Sequence, residues 1–395
     1  MILAAQPTRK PGTGNPVTIE RRSLQQTFEN AFHREPEVLS EAPGRVNLIG
    51  EHTDYNEGFV LPIAIDRTVA VAAAPGAGRT VRAYSVDFDA RDEWRIDAPR
   101  RTGRREWRDY VRAVAWALLD AGYELRGVDL AIAGDVPPGS GLSSSAALEI
   151  AVAGALCSVA DISVQPERLA LICQKAENQF VGVQSGVMDQ LAAACSRAGH
   201  ALLIDCRSLD RDFVALPGEI VIIVVDSKVP RRLGETPYNQ RREECAAAAQ
   251  ELGVSSLREA AIGDIEGLRE PLKRRARHVV SENQRVLEAV DALRSRNLAR
   301  LGELMYASHA SLRDGFGVST PELDLLVELA SRTTGVFGAR LTGAGFGGCT
   351  VNLVERDAVA GFEAGVVERD RERTGSPATM LICKAVDGLR ISPLG

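Results

Sequence analysis

The sequence predicts an α+β fold of two packed domains, in which mixed sheets pack against helices and an active site lies in the cleft between the domains. The chain has 395 residues, and this exceeds the length at which a single hydrophobic core usually stops growing. Short segments that are rich in valine or alternate in polarity are also interleaved with segments whose apolar residues recur at i, i+3 and i+4. These spacings are typical of strands and helices respectively.

The N-terminal half alternates between the two kinds of segment. Residues 1–18 are rich in Pro and Gly and lack apolar periodicity, which predicts a flexible tail. An N-terminal domain is expected over residues 19–204, with helices at 19–32, 110–121, 143–159 and 166–178 and strands at 68–74, 80–85, 128–133 and 201–205. The C-terminal domain, residues 205–395, has a buried strand at 220–225, helices at 241–252, 278–293, 297–312 and 321–333, and two strands around residues 342–348.

Composition and charge limit the possible functions. The chain is 45% hydrophobic and 25% charged with a net charge of -6, which is typical of a globular protein and does not favour a nucleic-acid partner. The longest strongly apolar run, residues 220–225, is far shorter than the roughly twenty residues that cross a bilayer, so no membrane segment is expected. Seven irregularly placed cysteines favour a reducing cytoplasm over a disulfide framework. Because no coiled-coil pattern is present, a monomer is expected.

The segment GRVNLIGEHTDYNEGFVLP, residues 44–62, concentrates charged side chains. Arg45, Glu51, His52 and Asp54 supply hydrogen-bond donors, acceptors and an imidazole that can do either. Recognition of a polyhydroxylated molecule requires such a set, so the segment predicts a sugar site. The alternative is a strand end followed by a solvent-exposed polar turn that binds no ligand, which would have a similar composition.

A glycine-rich segment, GDVPPGSGLSSSAALE at residues 134–149, joins a predicted strand to a helix of small residues. Backbone N–H groups in such a turn and at a helix N-terminus bind anions, and the three serines add hydroxyl donors. The segment contains neither the lysine of a Walker P-loop nor the spacing of a dinucleotide-binding turn. It therefore predicts a phosphate-binding loop of another class, although a capped helix without any ligand would also fit.

Together these motifs resemble the signatures of the galactokinases, a branch of the GHMP small-molecule kinase superfamily. A third segment of the family pattern, LTGAGFGGC, follows at residues 341–349, and only the N-terminal tail lies outside the resemblance. The resemblance implies the two-domain GHMP kinase fold, ATP as co-substrate, Mg²⁺ as cofactor and phosphorylation of the C1 hydroxyl of galactose. The implied partners are therefore small molecules.

The resemblance also assigns roles to single residues. In GVQSGVMDQ, residues 182–190, Asp189 matches the family's catalytic base with Arg45 beside it. Whether Asp189 takes the proton early or mainly orients the hydroxyl stays open. The implied sugar contacts are Glu51, His52, Asp54, Gly186 and Tyr238, and the implied Mg²⁺ ligands are Ser145 and Glu177. The implied ATP contacts are Ser85, Trp107, Pro138, Gly139, Ser140, Gly141, Leu142, Ser143, Ser144 and Ser145.

Two alternatives keep the fold but change the function. A non-catalytic sensor would bind galactose and ATP without turnover; one such paralogue lacks a Ser-Ala pair in the phosphate loop, whereas residues 143–146 read SSSA here. A kinase for a related sugar, such as N-acetylgalactosamine, galacturonate or arabinose, would differ in the shape of its sugar pocket. Neither alternative matches residues 51–55 better than the galactokinase pattern does.

Overall fold

The computed structural model describes residues 21–104, 106–229, 235–375 and 378–394. The predicted tail, residues 1–18, lies outside the described residues. The helices, in chain order, are α1 (Arg21–Phe32), α2 (Trp107–Asp120), α3 (Ser144–Val159), α4 (Pro166–Lys175), α5 (Met188–Cys195), α6 (Glu235–Leu252), α7 (Leu272–Arg294), α8 (Leu298–Ala310), α9 (Pro321–Ser331), α10 (Val359–Phe362) and α11 (Arg369–Thr374).

Within these described ranges the strands form three sheets. In chain order they are β1 (Val38–Asn47), β2 (Phe59–Val60), β3 (Pro62–Pro75), β4 (Thr80–Ser85), β5 (Ala90–Arg95), β6 (Val128–Gly134), β7 (His200–Asp205), β8 (Arg211–Ala215), β9 (Ile220–Asp226), β10 (Val336–Thr342), β11 (Cys349–Glu355), β12 (Thr379–Cys383) and β13 (Arg390–Pro393). The largest sheet has the order β13-β1-β3-β6-β4-β5, a second has β10-β11-β9-β12, and a third has β2-β7-β8. β4 and β6 pair in parallel, and the other pairs are antiparallel.

Helix α3 explains how the large sheet positions the glycine-rich segment. Its sequence, SSAALEIAVAGALCSV, is small and apolar on nearly every face, and most of its residues are buried. A helix that is apolar all round must be covered on all sides, and α3 packs against β1 and β3 on one side and against α2, α4 and α5 on the others. Its N-terminus therefore lies over the end of β1, where Arg45 is located.

The α+β fold class is confirmed, and the long periodic elements lie close to their predicted positions. β4 and β9 match the predicted strands, and β9 is sandwiched between β11 and β12 as a buried strand should be. Two predicted helices differ in kind at their ends: after α4 ends at Lys175 and α8 ends at Ala310, the chain continues as π-helices, Ala176–Val181 and Ser311–Phe316. Sequence reasoning missed the short edge strands β5, β8, β12 and β13, whose burial is too incomplete for a clear apolar run.

Within the described ranges, no helix combines the length and the apolar composition that would let it cross a bilayer.

Candidate active site

Three side chains from distant parts of the sequence meet at the end of β1. Arg45 donates from Nε to Asp189 Oδ1 at 2.8 Å and its Nη2 lies 2.6 Å from the same oxygen. Ser143 donates from Oγ to Asp189 Oδ2 at 2.5 Å. Arg45 also donates from Nη1 to the carbonyl oxygen of Gly141 at 2.6 Å, and only 4% of this arginine is exposed. The carboxylate of Asp189 is thus held between a buried cation and the glycine-rich loop.

Gly44 allows β1 to touch that loop. The pairing of β1 with β3 shifts register between Pro43 and Arg45, so the strand bulges at Gly44. A Cβ atom at Gly44 would lie 2.6 Å from the carbonyl oxygen of Leu142, and the Arg45 amide donates to that same oxygen at 3.0 Å. The loop and the signature strand are therefore in direct backbone contact.

The predicted ATP contacts from Pro138 to Ser145 lie together between β6 and the start of α3. Ser143 precedes α3 in a left-handed conformation with a φ of 59°, and its hydroxyl bonds to Asp189 instead of capping the helix. A non-glycine residue in this conformation is uncommon and carries backbone strain of a kind that clusters at functional sites. The first N–H groups of α3 remain available to an anion, as at other helix N-termini.

Ser85 and Trp107, the two predicted adenine contacts, are both buried. Ser85 ends β4 opposite Ile132 of the parallel strand β6, which leads into the glycine-rich loop. Trp107 begins α2 and packs in the main hydrophobic core, where the Arg108 guanidinium lies 5.0 Å from its ring centroid. The structure brings Ser85 to the loop's edge of the sheet, and contact of either residue with adenine stays a prediction.

Glu177 and Ser145, the predicted Mg²⁺ ligands, are close enough that the Ser145 hydroxyl offsets part of the rise that burial causes in the pKa of the Glu177 carboxyl group. Glu177 lies in the π-helix, and its Oε2 accepts from the hydroxyl of Ser185 and from Gln190 Nε2, the latter at 3.0 Å. Burial raises the pKa of Glu177, and the negative charge of Asp189 adds to this effect. A bound cation would offset both penalties, and one hydroxyl with one carboxylate suits Mg²⁺, which keeps water and phosphate oxygens as its other ligands.

Asp54 and Gly186 are in close contact beside Asp189. A Cβ atom at Gly186 would lie only 1.9 Å from Asp54 Oδ2, so no other residue fits there without moving the carboxyl group. Asp54 Oδ1 accepts from the Tyr55 amide at 2.9 Å. Burial, followed by the charge of Asp189, raises the pKa of Asp54 to about 7. The two carboxyl groups are therefore close enough to affect each other's charge, and the hydroxyls of one sugar could donate to both.

We expect Gly186→Ala to raise the KM for the sugar by about ten- to a hundredfold while the KM for ATP changes little. The added methyl group displaces Asp54, and losing a hydrogen bond to a charged group costs roughly 1.5–3 kcal/mol. Steady-state kinetics with each substrate varied in turn measures the effect. Gly263→Ala is the matched control, because a Cβ there meets nothing within 4 Å. An unchanged sugar KM in Gly186→Ala would contradict the placement of Asp54.

Glu51 and His52 bind to the turn that follows β10. Glu51 Oε1 accepts from the Gly343 amide at 2.6 Å and lies 3.4 Å from Nη1 of the fully buried Arg340. The His52 ring nitrogens pair with the Tyr55 hydroxyl at 2.9 Å and with the Ala344 carbonyl oxygen at 3.2 Å. A sugar hydroxyl that binds His52 must therefore replace one of these partners. The sugar contacts predicted for Glu51 and His52 stay predictions.

Tyr238 lies against the same segment from α6. Its ring centroid is 5.7 Å from that of His52 and 5.8 Å from that of Tyr55. Burial raises the pKa of Tyr238 well above its ordinary value, and the nearby charges of Asp54 and Asp189 raise it further. Tyr238 is thus a neutral hydroxyl close to both carboxyl groups, where the sequence predicts a sugar contact.

Several residues of the site were not found from the sequence. Gly50 donates its amide to Glu282 Oε1 at 3.0 Å, and Ser308 donates to the same oxygen at 2.5 Å. Arg340 Nε donates in turn to the Ser308 hydroxyl at 3.2 Å. This buried network connects the sugar-signature segment to α7, α8 and β10. The only available signal was a charged residue in otherwise apolar surroundings, as at Arg340 directly before the third motif.

We expect His278 to lower the free energy of unfolding as the pH falls from about 6.5 to about 4, whereas Asp54, whose pKa is raised to about 7, acts in the opposite direction. His278 is buried, and this burial lowers its pKa to about 4. The unfolded chain therefore binds a proton in this range that the folded chain does not, so stability is present above pH 6.5 and is lost as the pH falls. His52, whose pKa is lowered by burial to about 3, acts in the same direction. Urea unfolding at several pH values should show that the stability of wild type falls relative to that of His278→Gln as the pH is lowered, and a difference between the two proteins that does not change with pH would contradict this.

Comparison with known proteins identifies the family. Three family models match the chain: the galactokinase galactose-binding signature at residues 26–75, the GHMP kinase N-terminal domain at residues 109–197 and the GHMP kinase C-terminal domain at residues 289–368. A galactokinase from Roseiflexus sp. (strain RS-1) is 48% identical over 380 residues, covering 94% of this chain and 97% of the relative. One from Actinobacillus succinogenes is 44% identical and covers 92% and 97%.

Solved structures agree with this assignment. The crystal structure of Lactococcus lactis galactokinase complexed with galactose superposes with a TM-score of 0.91 at 36% identity, covering 93% of this chain and 99% of that chain. The mevalonate kinase of Methanococcus jannaschii shares the fold, with a TM-score of 0.65 at 18% identity over 90% of this chain and 100% of that chain. The side chains that meet at Asp189 come from the sugar-signature segment and the glycine-rich segment, and the chain belongs to the galactokinase family of GHMP kinases.

Proposed function

We propose that this protein is an ATP-dependent galactokinase, which transfers the γ-phosphate of ATP to the C1 hydroxyl of D-galactose. The observation that carries the proposal is the position of Asp189. Its carboxylate bonds to Arg45 of the sugar signature and to Ser143 of the phosphate loop, and it lies beside Asp54. A group that must meet both a sugar hydroxyl and a phosphate belongs at such a position.

Asp189 can orient the attacking hydroxyl and accept its proton. A sugar hydroxyl entering beside Asp54 would donate to Asp189 in place of Ser143 or next to it, which directs the oxygen lone pairs away from the carboxylate. Because a loose phosphoryl-transfer transition state needs little early deprotonation, orientation comes first and proton transfer follows.

Arg45 links that carboxylate to the phosphate loop. Its guanidinium is buried, pairs with Asp189 and donates to Gly141, so its position is fixed before substrates bind. A preorganised cation stabilises the negative charge on a transferring phosphoryl group without a cost of reorganisation. Arg45 therefore serves both to orient Asp189 and to stabilise charge.

We infer that Ser145 and Glu177 hold Mg²⁺, which would neutralise charge on the phosphate oxygens of bound ATP. Support comes from the chemistry of the pair: a hydroxyl lies near a buried carboxyl group whose pKa is raised by burial. Ser143, which bonds to Asp189, and Ser144 belong to the same loop. Their hydroxyl groups and backbone N–H groups can donate to the phosphates.

The alternatives are separated by a substrate panel. We expect ADP release with galactose to exceed that with N-acetylgalactosamine, galacturonate or arabinose by at least tenfold in kcat/KM, since a site that pairs sugar hydroxyls rejects analogues by such factors or more. A coupled assay with ATP and Mg²⁺ measures this. Binding of galactose without ADP release would favour the sensor, and a higher kcat/KM for another sugar would favour the related kinase.

We further propose a cytoplasmic monomer whose chain divides into domains at 19–204 and 205–395. The cysteine content and the absence of a coiled-coil pattern support the location and the monomer. In the structure β13, near the end of the chain, pairs with β1, so the last residues return to the N-terminal sheet. Light scattering of the purified protein tests the monomer.

A further inference from the structure

The side-chain amide of Gln190 lies between two buried carboxyl groups. Its Nε2 donates to Glu177 Oε2 and to Glu149 Oε2, each at 3.0 Å. Gln190 and Glu149 are both fully buried. Gln190 follows Asp189 on α5, and Glu149 lies one helical turn after Ser145 on α3. One amide group thus connects the helix of the catalytic carboxylate, the helix of the phosphate loop and the π-helix.

Hydrogen-bond accounting fixes how this amide is oriented. Only the amide nitrogen can donate to two carboxyl groups, so the amide oxygen must face elsewhere. That oxygen, Gln190 Oε1, and Glu149 Oε1 are both buried and lack a protein partner among the described residues. These two oxygens belong to side chains that already share one hydrogen bond, from Gln190 Nε2 to Glu149 Oε2. If Glu149 is a neutral carboxylic acid, its proton supplies the donor that Gln190 Oε1 needs, and both atoms are satisfied.

The surroundings of Glu149 favour this neutral form. Burial raises its pKa well above the ordinary value, and the charge of Glu177 adds to the effect. A buried carboxyl group without a cationic partner is normally uncharged. A neutral acid paired with an amide forms a stable unit that adds no negative charge beside Glu177.

We propose that Gln190 and Glu149 are positioning residues that orient the carboxylate of Glu177 for cation binding and do not themselves touch substrate. Glu177 Oε2 already accepts from Ser185 and Gln190, which occupies its two lone pairs and leaves Oε1 for a cation. The inference rests on the proposed function in one respect, that Glu177 binds the cation that accompanies ATP. Outer partners of this kind typically change metal affinity by about 10- to 100-fold when they are removed.

The test measures metal binding directly. Mn²⁺ replaces Mg²⁺, and electron paramagnetic resonance counts free Mn²⁺ during titration of the protein with a non-hydrolysable ATP analogue present. Gln190→Met and Glu149→Leu should each weaken Mn²⁺ binding by about tenfold or more, whereas galactose affinity measured by calorimetry stays within about threefold of wild type. Gln250→Met, at an exposed position on α6, is the matched control and should bind Mn²⁺ normally.

The conservative variant separates positioning from mere packing. Glu149→Gln keeps one acceptor and one donor toward the Gln190 amide, so it should restore Mn²⁺ affinity to within about threefold of wild type. If Gln190→Met fails to fold, judged by circular dichroism, Gln190→Asn replaces it and should show the same tenfold loss. Wild-type Mn²⁺ affinity in the Gln190 variant, or a loss in Glu149→Gln as large as in Glu149→Leu, would overturn the proposal.

The two proposals can fail separately. If wild-type protein binds Mn²⁺ as expected and the variants weaken it, but no sugar of the panel is phosphorylated, the positioning pair stands and the kinase function fails. If galactose is phosphorylated and the variants bind Mn²⁺ normally, the kinase function stands and the positioning pair fails.

Discussion

Asp189→Ala is expected to lower kcat for galactose by roughly two to four decades, the contribution that a positioned general base makes, while galactose still binds. The variant removes the group that orients the attacking hydroxyl and receives its proton. It leaves Asp54, Tyr238 and Gly186 in place, and these are the groups that would bind the rest of the sugar. Rapid-quench kinetics gives the rate of phosphoryl transfer, and calorimetry gives the galactose affinity.

The same substitution also removes the partner of a buried arginine. Arg45 would keep its bond to the Gly141 carbonyl but lose its ion pair, and breaking a buried pair costs stability. Thermal unfolding must therefore show that the variant is folded at the assay temperature. Asp120→Ala, an exposed aspartate that pairs with Lys175, is the matched control. Turnover close to wild type in folded Asp189→Ala would remove Asp189 from the mechanism.

Gly44→Ala should lower kcat/KM for ATP by about a hundredfold, the loss that a displacement near 1 Å of a catalytic group can produce. The new methyl group would lie 2.6 Å from the Leu142 carbonyl oxygen and 2.9 Å from a methyl group of Val136, so the phosphate loop must move away from β1. Because Ser143 follows Leu142, its bond to Asp189 moves as well.

Kinetics with ATP as the varied substrate measures the effect of Gly44→Ala. Gly218→Ala is the control, since an added Cβ there meets nothing within 4 Å. The sugar affinity should fall much less than kcat/KM for ATP, because the displaced atoms belong to the loop. If ATP kinetics are normal in Gly44→Ala, the contact between β1 and the loop does not position the phosphates.

The fold and much of the site could be predicted from the sequence because their signals are local. The apolar periodicity of α7 and the valine-rich run of β9 are visible in windows of a few residues. The edge strand β13 has only four residues and is mostly exposed, so it has no such pattern, and its partner β1 lies at the other end of the chain.

Contacts across the chain depend on tertiary packing, which spacing alone does not encode. Arg45 and Asp189 are separated by 144 positions, so their pairing was predicted from the need of a buried carboxylate for a cation and from the family resemblance, not from spacing. Likewise, an acid at position 149 within an apolar helix is visible in the sequence, but its partner Gln190 is not. The surroundings of Glu51 were missed for the same reason, since Gly343 and Arg340 come from a distant strand and turn.

Correlated ¹H and ³¹P nuclear magnetic resonance of wild-type protein with galactose, ATP and Mg²⁺ tests the central claim most directly. The experiment identifies the sugar proton that couples to the new phosphorus signal. A galactokinase predicts a single new phosphate ester coupled to the proton on C1, together with ADP. No new ester despite bound galactose, or coupling to a proton on another carbon, would contradict the assignment of this chain as a sugar 1-kinase.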